Sequence, residues 1–456
     1  MITTKSSTNE SIKKLGSNIV SLLVVQISNY ALPLISIPFF TRIVGPEKFG
    51  IINFVGAFVG YCMLLTSFGF DTSATRDVVQ VKDDPKLLNQ LCSEVFYSKV
   101  LLLAISLVAY GVLVYFVPQM RQELFVSISS VLLCFSVVLI PSWLYQGFQD
   151  NHLLAYYNIA SKIIFTIAIL SMVKVKADYV LYPLFLSLSQ IIIGCVAFYQ
   201  IHHRYQIKII RVTFDKIKER IKSSQAIFIS FVIISLYSTS NILIIGFLED
   251  EEAVGQLSAA LKIMVLIQAC ISMPFSQALF PFIGQRFRVS KDEGLRVVQF
   301  TMPIVLTLAF IACLLGCLLA PVLVGIIFGK QFSEAINILR VLSFVPFVIV
   351  FSQFLGIHIM VNLNMDLIFK KVIFSGALIG IAMNFLGGYL GGTVGISFTY
   401  FLTELLIAFL FMYFLKKENI TLSILFAKVN ESFSGAVSYI KSIRNQENLL
   451  NDDNNF

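Results

Sequence analysis

The stretch "ALPLISIPFFTRIVGPEKFG", residues 31–50, sets the architecture of this chain. Its apolar first part contains Pro33 and Pro38, and it runs into Arg42 and then into a Gly-Pro pair. Each proline removes a backbone hydrogen-bond donor and tends to kink a helix. The stretch therefore predicts a bent apolar helix that ends at a charged corner, after which "GPEKFG" turns the chain and starts a second helix.

The composition places this corner at a membrane. Of the 456 residues, 57% are hydrophobic and 13% are charged, whereas about 25% are charged in soluble domains. An apolar run of about 20 residues is long enough to span a bilayer as a helix. Because none of the runs alternates like a strand, we predict an all-α polytopic membrane protein with twelve transmembrane helices. The runs lie near residues 18–40, 46–70, 91–117, 122–145, 152–173, 178–201, 223–247, 253–283, 298–322, 333–358, 365–387 and 390–415.

The uneven distribution of Lys and Arg predicts the orientation. With a cytoplasmic N-terminus, the two tails and the even-numbered loops hold 24 of these residues, and the opposite side holds 6. Positive charge marks the cytoplasmic side, so both termini are expected there. The richest segment, 202–222, has a charge that suits anionic lipid headgroups, and its place against the membrane argues against nucleic acid as a partner.

The corner at residues 45–50 has an echo in the second half of the chain. "EKFGIINF" aligns with "EAVGQLSA" so that Gly50 falls on Gly255, 205 positions later. Pro141 falls on Pro346 at the same offset. Two landmarks at one offset in matching helices predict a parallel repeat, whose substrate site is expected where the two halves face each other.

This repeat divides the chain into two six-helix lobes. The C-terminal segment beyond them has apolar residues at helical spacing over 420–443 and then a polar end, which predicts an amphipathic cytoplasmic helix followed by a disordered tail. The expected domains are an N-lobe at 1–201, a basic cytoplasmic linker at 202–222, a C-lobe at 223–415 and a cytoplasmic tail at 416–456.

Four basic residues inside the apolar runs or at the end of one are candidate substrate contacts. A charge at the bilayer centre costs about 2.5–3.5 kcal/mol on insertion scales, so it usually faces a cavity or a partner. Lys162 and Lys262 are both predicted near the midplane, about 15 Å from the helix start. Arg42 and Arg340 lie nearer helix ends, where their side chains can also extend to the interface. Cations of this kind bind phosphate oxygens strongly in a low dielectric, which predicts a phosphorylated headgroup as the cargo.

The acidic residues of the spans have two expected roles. Glu404 is the one acid deep in the last helix, and a desolvated carboxylate can exchange a proton, so ion coupling and a structural role are both open. Asp71, Arg76 and Asp77 close the second helix and are candidates for a gate or for helix capping. Lys99 has Glu94 close by on its own helix, so a structural pair of the two and another role for Lys99 are both open.

Other chemistries find little support. The seven cysteines all lie in or beside apolar runs and show no CxxC or His/Cys spacing, so neither disulfides, nor a metal, nor a cofactor is expected. A membrane polysaccharide polymerase or ligase would need a catalytic group on a large outer loop. The predicted outer loops are short and carry no nucleophile motif or paired carboxylates, so we identify no catalytic residue.

Four stretches resemble Wzx-type O-antigen and polysaccharide flippases of the multidrug/oligosaccharidyl-lipid/polysaccharide (MOP) exporter superfamily. They are "YALPLISIPFFTRIVGPEKFGIINF" (30–54), "TSFGFDTSATRDV" (66–78), "PSWLYQGFQ" (141–149) and "MNFLGGYLGGTVGISFTYFLTELL" (383–406). The resemblance covers residues 15–415 and identifies the polysaccharide branch better than the sugar.

This resemblance implies two six-helix lobes and a transporter of the bacterial inner membrane rather than an enzyme. It implies that undecaprenyl-pyrophosphate-linked repeat units move from the cytoplasmic to the periplasmic leaflet by alternating access through a cationic central cavity, in cooperation with a polymerase and a chain-length regulator. Arg42, Lys162, Lys262 and Arg340 are the candidates for its cationic lining. A drug or cation antiporter on the same fold remains an alternative, although its first lobe would need buried acids. The sugar, the coupling ion, the oligomeric state and the choice between O-antigen and capsule stay open.

Overall fold

A computed structural model describes residues 32–427, except for the side chains of 272–278, 280 and 281. The first half of the predicted run at 18–40 lies outside the described residues. So do the polar end of the chain and most of the predicted amphipathic helix at 420–443.

Within these bounds the chain folds into helices joined by short turns. The α-helices are α1 (Pro33–Ser67), α2 (Phe70–Val81), α3 (Pro85–Phe116), α4 (Pro118–Gln122), α5 (Leu124–Val131), α6 (Leu133–Leu139), α7 (Ser142–Gly147), α8 (Asn151–Met172), α9 (Leu181–Arg204), α10 (Phe214–Leu248), α11 (Glu251–Val289), α12 (Lys291–Leu318), α13 (Ala320–Ile327), α14 (Ala335–Leu342), α15 (Val345–Gln353), α16 (Asp366–Lys417) and α17 (Leu422–Leu425). Two 3₁₀ turns, Lys176–Val180 and Lys330–Phe332, and one π-helical segment, Phe354–Met360, complete the order.

Ten helical stretches in the described part of the chain are long and apolar enough to cross a membrane. The prediction of an all-α polytopic membrane protein is therefore confirmed. Several of these stretches are interrupted, and two of the helices themselves contain a break: α1 at Gly45 and α16 at Gly391 and Gly392, where the backbone leaves the helical region. The break at Gly45 falls in the predicted loop between the first two helices. The break at Gly391 and Gly392 falls at the start of the predicted run 390–415, just after the predicted loop at 388–389, and the total of twelve helices stays a prediction.

The break in α16 reverses the chain. A Cβ placed on Gly395 would lie 2.1 Å from the carbonyl oxygen of Gly387, and one on Gly376 would lie 2.5 Å from the side chain of Ile407. In a straight helix Gly376 and Ile407 would be about 46 Å apart. The two halves of α16 therefore run antiparallel and pack along a glycine face, as predicted for helices eleven and twelve.

Helix bounds repeat along the chain. α3 begins at Pro85 and α12 begins 206 residues later at Lys291. The predicted fourth helix breaks at Pro141 before α7, and the predicted tenth breaks beside Pro346, which lies in the first turn of α15. Proline is accommodated at such helix starts because the first backbone N–H groups have no partner inside the helix. These matches agree with the parallel repeat predicted from the sequence.

The residues cluster into two compact units, each with its own core. Of the described residues, unit 1 comprises those up to Ser258 together with Gly325–Ser333, and unit 2 comprises Ala259–Val324 together with those from Glu334 onward. The predicted domain boundaries stay a prediction. α10 begins at Phe214, so the second half of the basic segment 202–222 is its first helical turns.

Candidate functional site

Two of the predicted cations lie inside long helices, several turns from either end. Lys162 follows the start of α8 by eleven residues and is half-buried. Lys262 follows the start of α11 by eleven residues and is exposed. At 1.5 Å per residue both are about 16 Å from the helix start. A charge at that depth is rarely left facing lipid, so the geometry keeps both as candidates for contact with an anionic substrate.

The two arginines lie nearer helix ends and bond to the chain itself. Arg42 is exposed, and its Nη2 donates to the carbonyl of Ile326 at 2.9 Å. Arg340 is exposed in the last turn of α14, and its Nη1 donates to Oδ1 of Asn337 at 3.3 Å. The four cations thus lie on four helices, with Arg42 and Lys162 in unit 1 and Lys262 and Arg340 in unit 2.

Glu404 lies in the second half of α16, and its side chain is 3% exposed. Its Oε1 has no hydrogen-bond partner among the described residues. Burial of an unpartnered carboxylate oxygen is costly unless a proton or a cation compensates it. Among the described residues, no group of three His, Cys, Asp or Glu side chains is placed to hold a metal ion. A metal cluster within the described part of the chain therefore does not account for the burial of this carboxylate.

Asp71 and Lys99 form the first part of the predicted gate region. Lys99 is 2% exposed, and its Nζ lies 3.3 Å from Oδ1 of Asp71 and donates to the carbonyl of Val137 at 3.1 Å. Asp71 also accepts hydrogen bonds from the hydroxyls of Ser67 and Ser142, each at 2.8 Å. Lys99 thus does not pair with Glu94 of its own helix, because its side chain crosses to Asp71 on α2 and Glu94 is bonded by Arg220.

Arg220 organises the second part of this region. Its guanidinium donates to Oδ2 of Asp77 at 2.6 Å and to Oε2 of Glu94 at 2.9 Å, so it joins α10 to α2 and α3. Arg76, the third predicted gate residue, is mostly exposed and approaches Asp77 only at 3.8 Å. The cluster borders a cavity of about 330 Å³. The sequence did not indicate this role of Arg220, because Arg220 belongs to the basic segment 202–222, whose charge was predicted to meet anionic lipid headgroups.

The corner at the start of the repeat is a fixed turn. Gly45 breaks α1 with a φ of 76°, a left-handed conformation that favours glycine. The next charged residue, Glu47, accepts from Lys176 at 2.7 Å and lies 3.2 Å from Nζ of Lys48. Lys48 also lies 3.6 Å from Glu123. The positive charges at this corner therefore pair with nearby acids.

Beyond the turn, the two glycines that mark the repeat touch reciprocally. A Cβ on Gly50 would lie 1.7 Å from the carbonyl oxygen of Glu251, and one on Gly255 would lie 2.0 Å from that of Pro46. Because Glu251 follows Pro46 by the same 205 positions that separate the glycines, the two contacts exchange under the repeat. The start of α11 and the second part of α1 therefore cross backbone to backbone about a local two-fold axis, inside unit 1.

Aromatic packing and amide hydrogen bonds surround this crossing. The ring of Phe49 lies 5.8 Å from those of both Phe328 and Phe332. Gln256 is 1% exposed and donates to the carbonyl of Gln331 at 3.1 Å. This end of unit 1 is consequently closed by apolar side chains and by backbone contact that only glycine permits.

Comparisons with known proteins agree with this architecture. The model of a family described as "Polysaccharide biosynthesis protein" matches residues 15–287. The chain is 26% identical to a "Putative O-antigen transporter" of Escherichia coli strain K12 over 406 residues, which cover 89% of this chain and 98% of the relative. It is 25% identical to a protein of the same description from Shigella dysenteriae, with 87% and 98% covered.

Solved structures of the same fold are transporters. An inward-facing multidrug resistance MATE family transporter of the MOP superfamily superposes with a TM-score of 0.64 at 12% identity, covering 88% of this chain and 98% of that one. The Vibrio cholerae MATE transporter VcmN gives a TM-score of 0.54 at 14% identity over 92% of this chain and 100% of that one. At such identities these likenesses establish the fold alone.

Proposed function

Because the chain belongs to the polysaccharide biosynthesis protein family and has the fold of MOP-superfamily transporters, we propose that it is a flippase for undecaprenyl-pyrophosphate-linked O-antigen or capsule repeat units. It moves them from the cytoplasmic to the periplasmic leaflet of a bacterial inner membrane, where a polymerase and a chain-length regulator use them. The observation that carries this proposal is the similarity to two bacterial O-antigen transporters over 98% of their length.

The pyrophosphate is the part of the cargo that the basic residues contact. Lys162 and Lys262 lie too deep in their helices for easy neutralisation by phospholipid headgroups, so they supply positive charge where the cargo crosses the membrane centre. Arg42 and Arg340 lie nearer the ends and meet the pyrophosphate on entry or exit. Charge-assisted hydrogen bonds of this kind are about twice as strong as neutral ones.

The reciprocal contact of Gly50 and Gly255 is the gate at one end of the path. Backbone contact without side chains can form and separate as the two helices rock, because no interlocked side chains must be withdrawn. The Arg220 cluster keeps α10 attached to α2 and α3 through this motion, because its guanidinium bonds to Asp77 and Glu94 together. Asp71, paired with Lys99, and Asp77, paired with Arg220, thus brace the helices beside the gate rather than form the gate itself.

Glu404 is the coupling group. Its buried, unpartnered Oε1 needs a proton or a cation, and binding of that ion alternates with binding of the cargo if both favour different conformations. A carboxylate in the last helix therefore links transport to an ion gradient.

The alternative, a drug or cation antiporter, draws on the similarity to multidrug MATE structures. Such a cargo needs negative charge that is available to it. In unit 1 the buried Glu94 is engaged by Arg220, and Asp71 is engaged by Lys99. These pairings favour an anionic cargo over a cationic one.

Deletion of the gene tests the proposal directly. Lipid extracts of the deletion strain should accumulate undecaprenyl-linked repeat units on the inner leaflet, and surface polysaccharide should be lost until the wild-type gene is restored. Drug sensitivity with normal lipid-linked oligosaccharide would instead identify the antiporter.

A further inference from the structure

A polar crevice in unit 2 lies outside the residues considered so far. It has a volume of about 520 Å³ and is formed by the end of α11 and by the turn that follows the π-helical segment Phe354–Met360. This volume is within the range of about 300–1,000 Å³ of small-ligand sites. Its lining residues are Gly284, Gln285, Phe287, Arg288, Val361, Asn362 and Asn364.

Unusual backbone geometry places the two asparagines. The π-helical turn, a rare conformation that is frequent at functional sites, ends one residue before Val361. Asn364 has a φ of 58°, which a non-glycine residue seldom adopts. The side-chain amide of Asn362 donates to the carbonyl of His358 at 2.9 Å, which fixes its orientation and leaves its Oδ1 toward α11.

Small residues on α11 and α12 leave the crevice open. A Cβ on Gly284 would lie 3.3 Å from Oδ1 of Asn362, so a larger side chain there would fill the space. The ring of Phe287 is seated on Gly294, where a Cβ would lie 2.3 Å from it. The aromatic ring is therefore held in place beside the amides.

The chemistry of this lining selects a class of ligand. Three side-chain amides donate and accept hydrogen bonds as sugar hydroxyls require, and Phe287 adds an apolar ring. Arg288 is exposed in the last turn of α11 and presents a guanidinium that binds phosphate in a bidentate manner. Among the described side chains that line the crevice, none is an acid that would repel an anion.

We propose that this crevice binds the sugar–phosphate end of a glycosyl-phosphate ligand, and that it recognises the lipid-linked oligosaccharide before transport. This inference rests on the proposed function. The other source of the same chemistry is the glycerol-phosphate headgroup of an anionic phospholipid, which the binding experiment separates.

The export experiment compares two arginines of one helix end. Arg288→Gln removes the cation of the crevice, whereas Arg286→Gln removes a cation that lies 5.5 Å from the ring of Phe282 and does not line the crevice. In the deletion strain, at equal membrane levels, Arg288→Gln should lower surface polysaccharide by about tenfold, as expected for a lost charged hydrogen bond. Arg286→Gln should export normally. Equal export by the two variants overturns the proposal.

The binding experiment uses purified protein in nanodiscs and three probes. These are the undecaprenyl-linked oligosaccharide extracted from the deletion strain, undecaprenyl pyrophosphate without sugar, and phosphatidylglycerol. Asn362→Ala should weaken the oligosaccharide but not the bare pyrophosphate, and Gly284→Leu should weaken the oligosaccharide by about tenfold. Unchanged oligosaccharide affinity in both variants overturns the proposal, and an equal loss of phosphatidylglycerol identifies a phospholipid site instead.

Lipid-linked oligosaccharide in the deletion strain and export by the crevice variants separate a failure of the proposed function from a failure of the crevice assignment. If the deletion strain accumulates no lipid-linked oligosaccharide, the proposed function itself fails. If it does accumulate and wild-type protein restores export, but the crevice variants behave as wild type, only the crevice assignment fails.

Discussion

The substitution Gly255→Val should keep apart the two helices that touch at Gly50 and Gly255, which are the second part of α1 and the start of α11. In the structure a Cβ on Gly255 would lie 2.0 Å from the carbonyl oxygen of Pro46, whereas ordinary contact begins at 3.4 Å. The backbones must therefore separate by about 1.4 Å, from 2.0 to 3.4 Å, to admit even the first carbon. The two further methyl carbons of valine require more.

The energetic effect falls on one conformation only. Overpacking of a close contact costs about 1–3 kcal/mol, and the cost disappears when the helices are apart. It shifts the equilibrium between closed and open forms by about 5- to 150-fold toward the open form. Since transport requires both forms in each cycle, export should fall accordingly although the protein still inserts.

A buried reporter beside the contact measures this shift. Gln256 is 1% exposed in the closed arrangement. Gln256→Cys, in a variant without the native cysteines, should react slowly with a maleimide in nanodiscs. Adding Gly255→Val should speed the reaction, and the same variant should lose surface polysaccharide in cells.

Gly60→Val is the matched control. Gly60 lies on the same long helix, α1, as Gly50, and a Cβ there would meet nothing within 4 Å. It should change neither labelling nor export by more than the small effect of helix propensity. The gate assignment is refuted if Gly255→Val and Gly60→Val label and export alike.

Four further predictions concern charge. Lys262→Ala should lower export by about tenfold or more through the lost phosphate contact, Lys262→Arg should retain part of it, and Lys262→Glu should be worse than Ala; polysaccharide ladders at matched protein levels measure this. Arg220→Ala should destabilise the protein by about 1.5–3 kcal/mol through two unpaired carboxylates, seen as a lower thermal midpoint. Glu404→Gln should transport in proteoliposomes without a response to an imposed pH gradient. Impermeant cysteine labelling should place residues 202–222 in the cytoplasm and 249–252 outside.

Each of these has its own control and its own contrary result. Lys86→Ala, at an exposed lysine in the first turn of α3 and before the apolar run 91–117, should export normally. Normal export by every Lys262 variant would make that cation structural. Arg76→Ala should leave stability unchanged, and an equal loss in both arginine variants would remove the special role of Arg220. If transport by the Glu404→Gln protein still responds to the pH gradient, Glu404 is not the coupling group. External labelling of the basic segment would reverse the orientation.

The fold was largely predictable because the length of each apolar run can be compared with the nearly constant thickness of the bilayer's hydrocarbon core. The runs at 152–173 and 223–247 correspond to α8 and to most of α10. The run at 122–145 was predicted as one helix, but it forms three, because local turns and Pro141 interrupt it without lowering hydropathy. Breaks of this kind depend on packing against neighbours, which a hydropathy pattern does not contain.

The site was predictable only in part, for a related reason. Depth along a helix follows from counting residues, so the distance of Lys162 and Lys262 from their helix starts, about 16 Å, is close to the predicted distance of about 15 Å. Their contact with a substrate stays a prediction. The partner of a charge depends on which helices become neighbours. Lys99 meets Asp71, 28 positions away along the chain, and Arg220 meets Glu94 from another helix. Neither pairing has a local sequence pattern.

The repeat explains why identity is kept in one place and lost in another. Where two equivalent backbones cross about a local axis, both positions face the same steric demand, and both are glycine at 50 and 255. Away from such a crossing, the two equivalent positions have different neighbours and need not carry the same residue. Lys262, for example, has Ala57 as its counterpart 205 positions earlier. A lipid-linked oligosaccharide has a charged end and no two-fold symmetry, so cations that contact it gain nothing from duplication. Under the proposed function, we therefore expect the symmetric glycines to serve the motion and the unsymmetric Lys262 to contact the cargo.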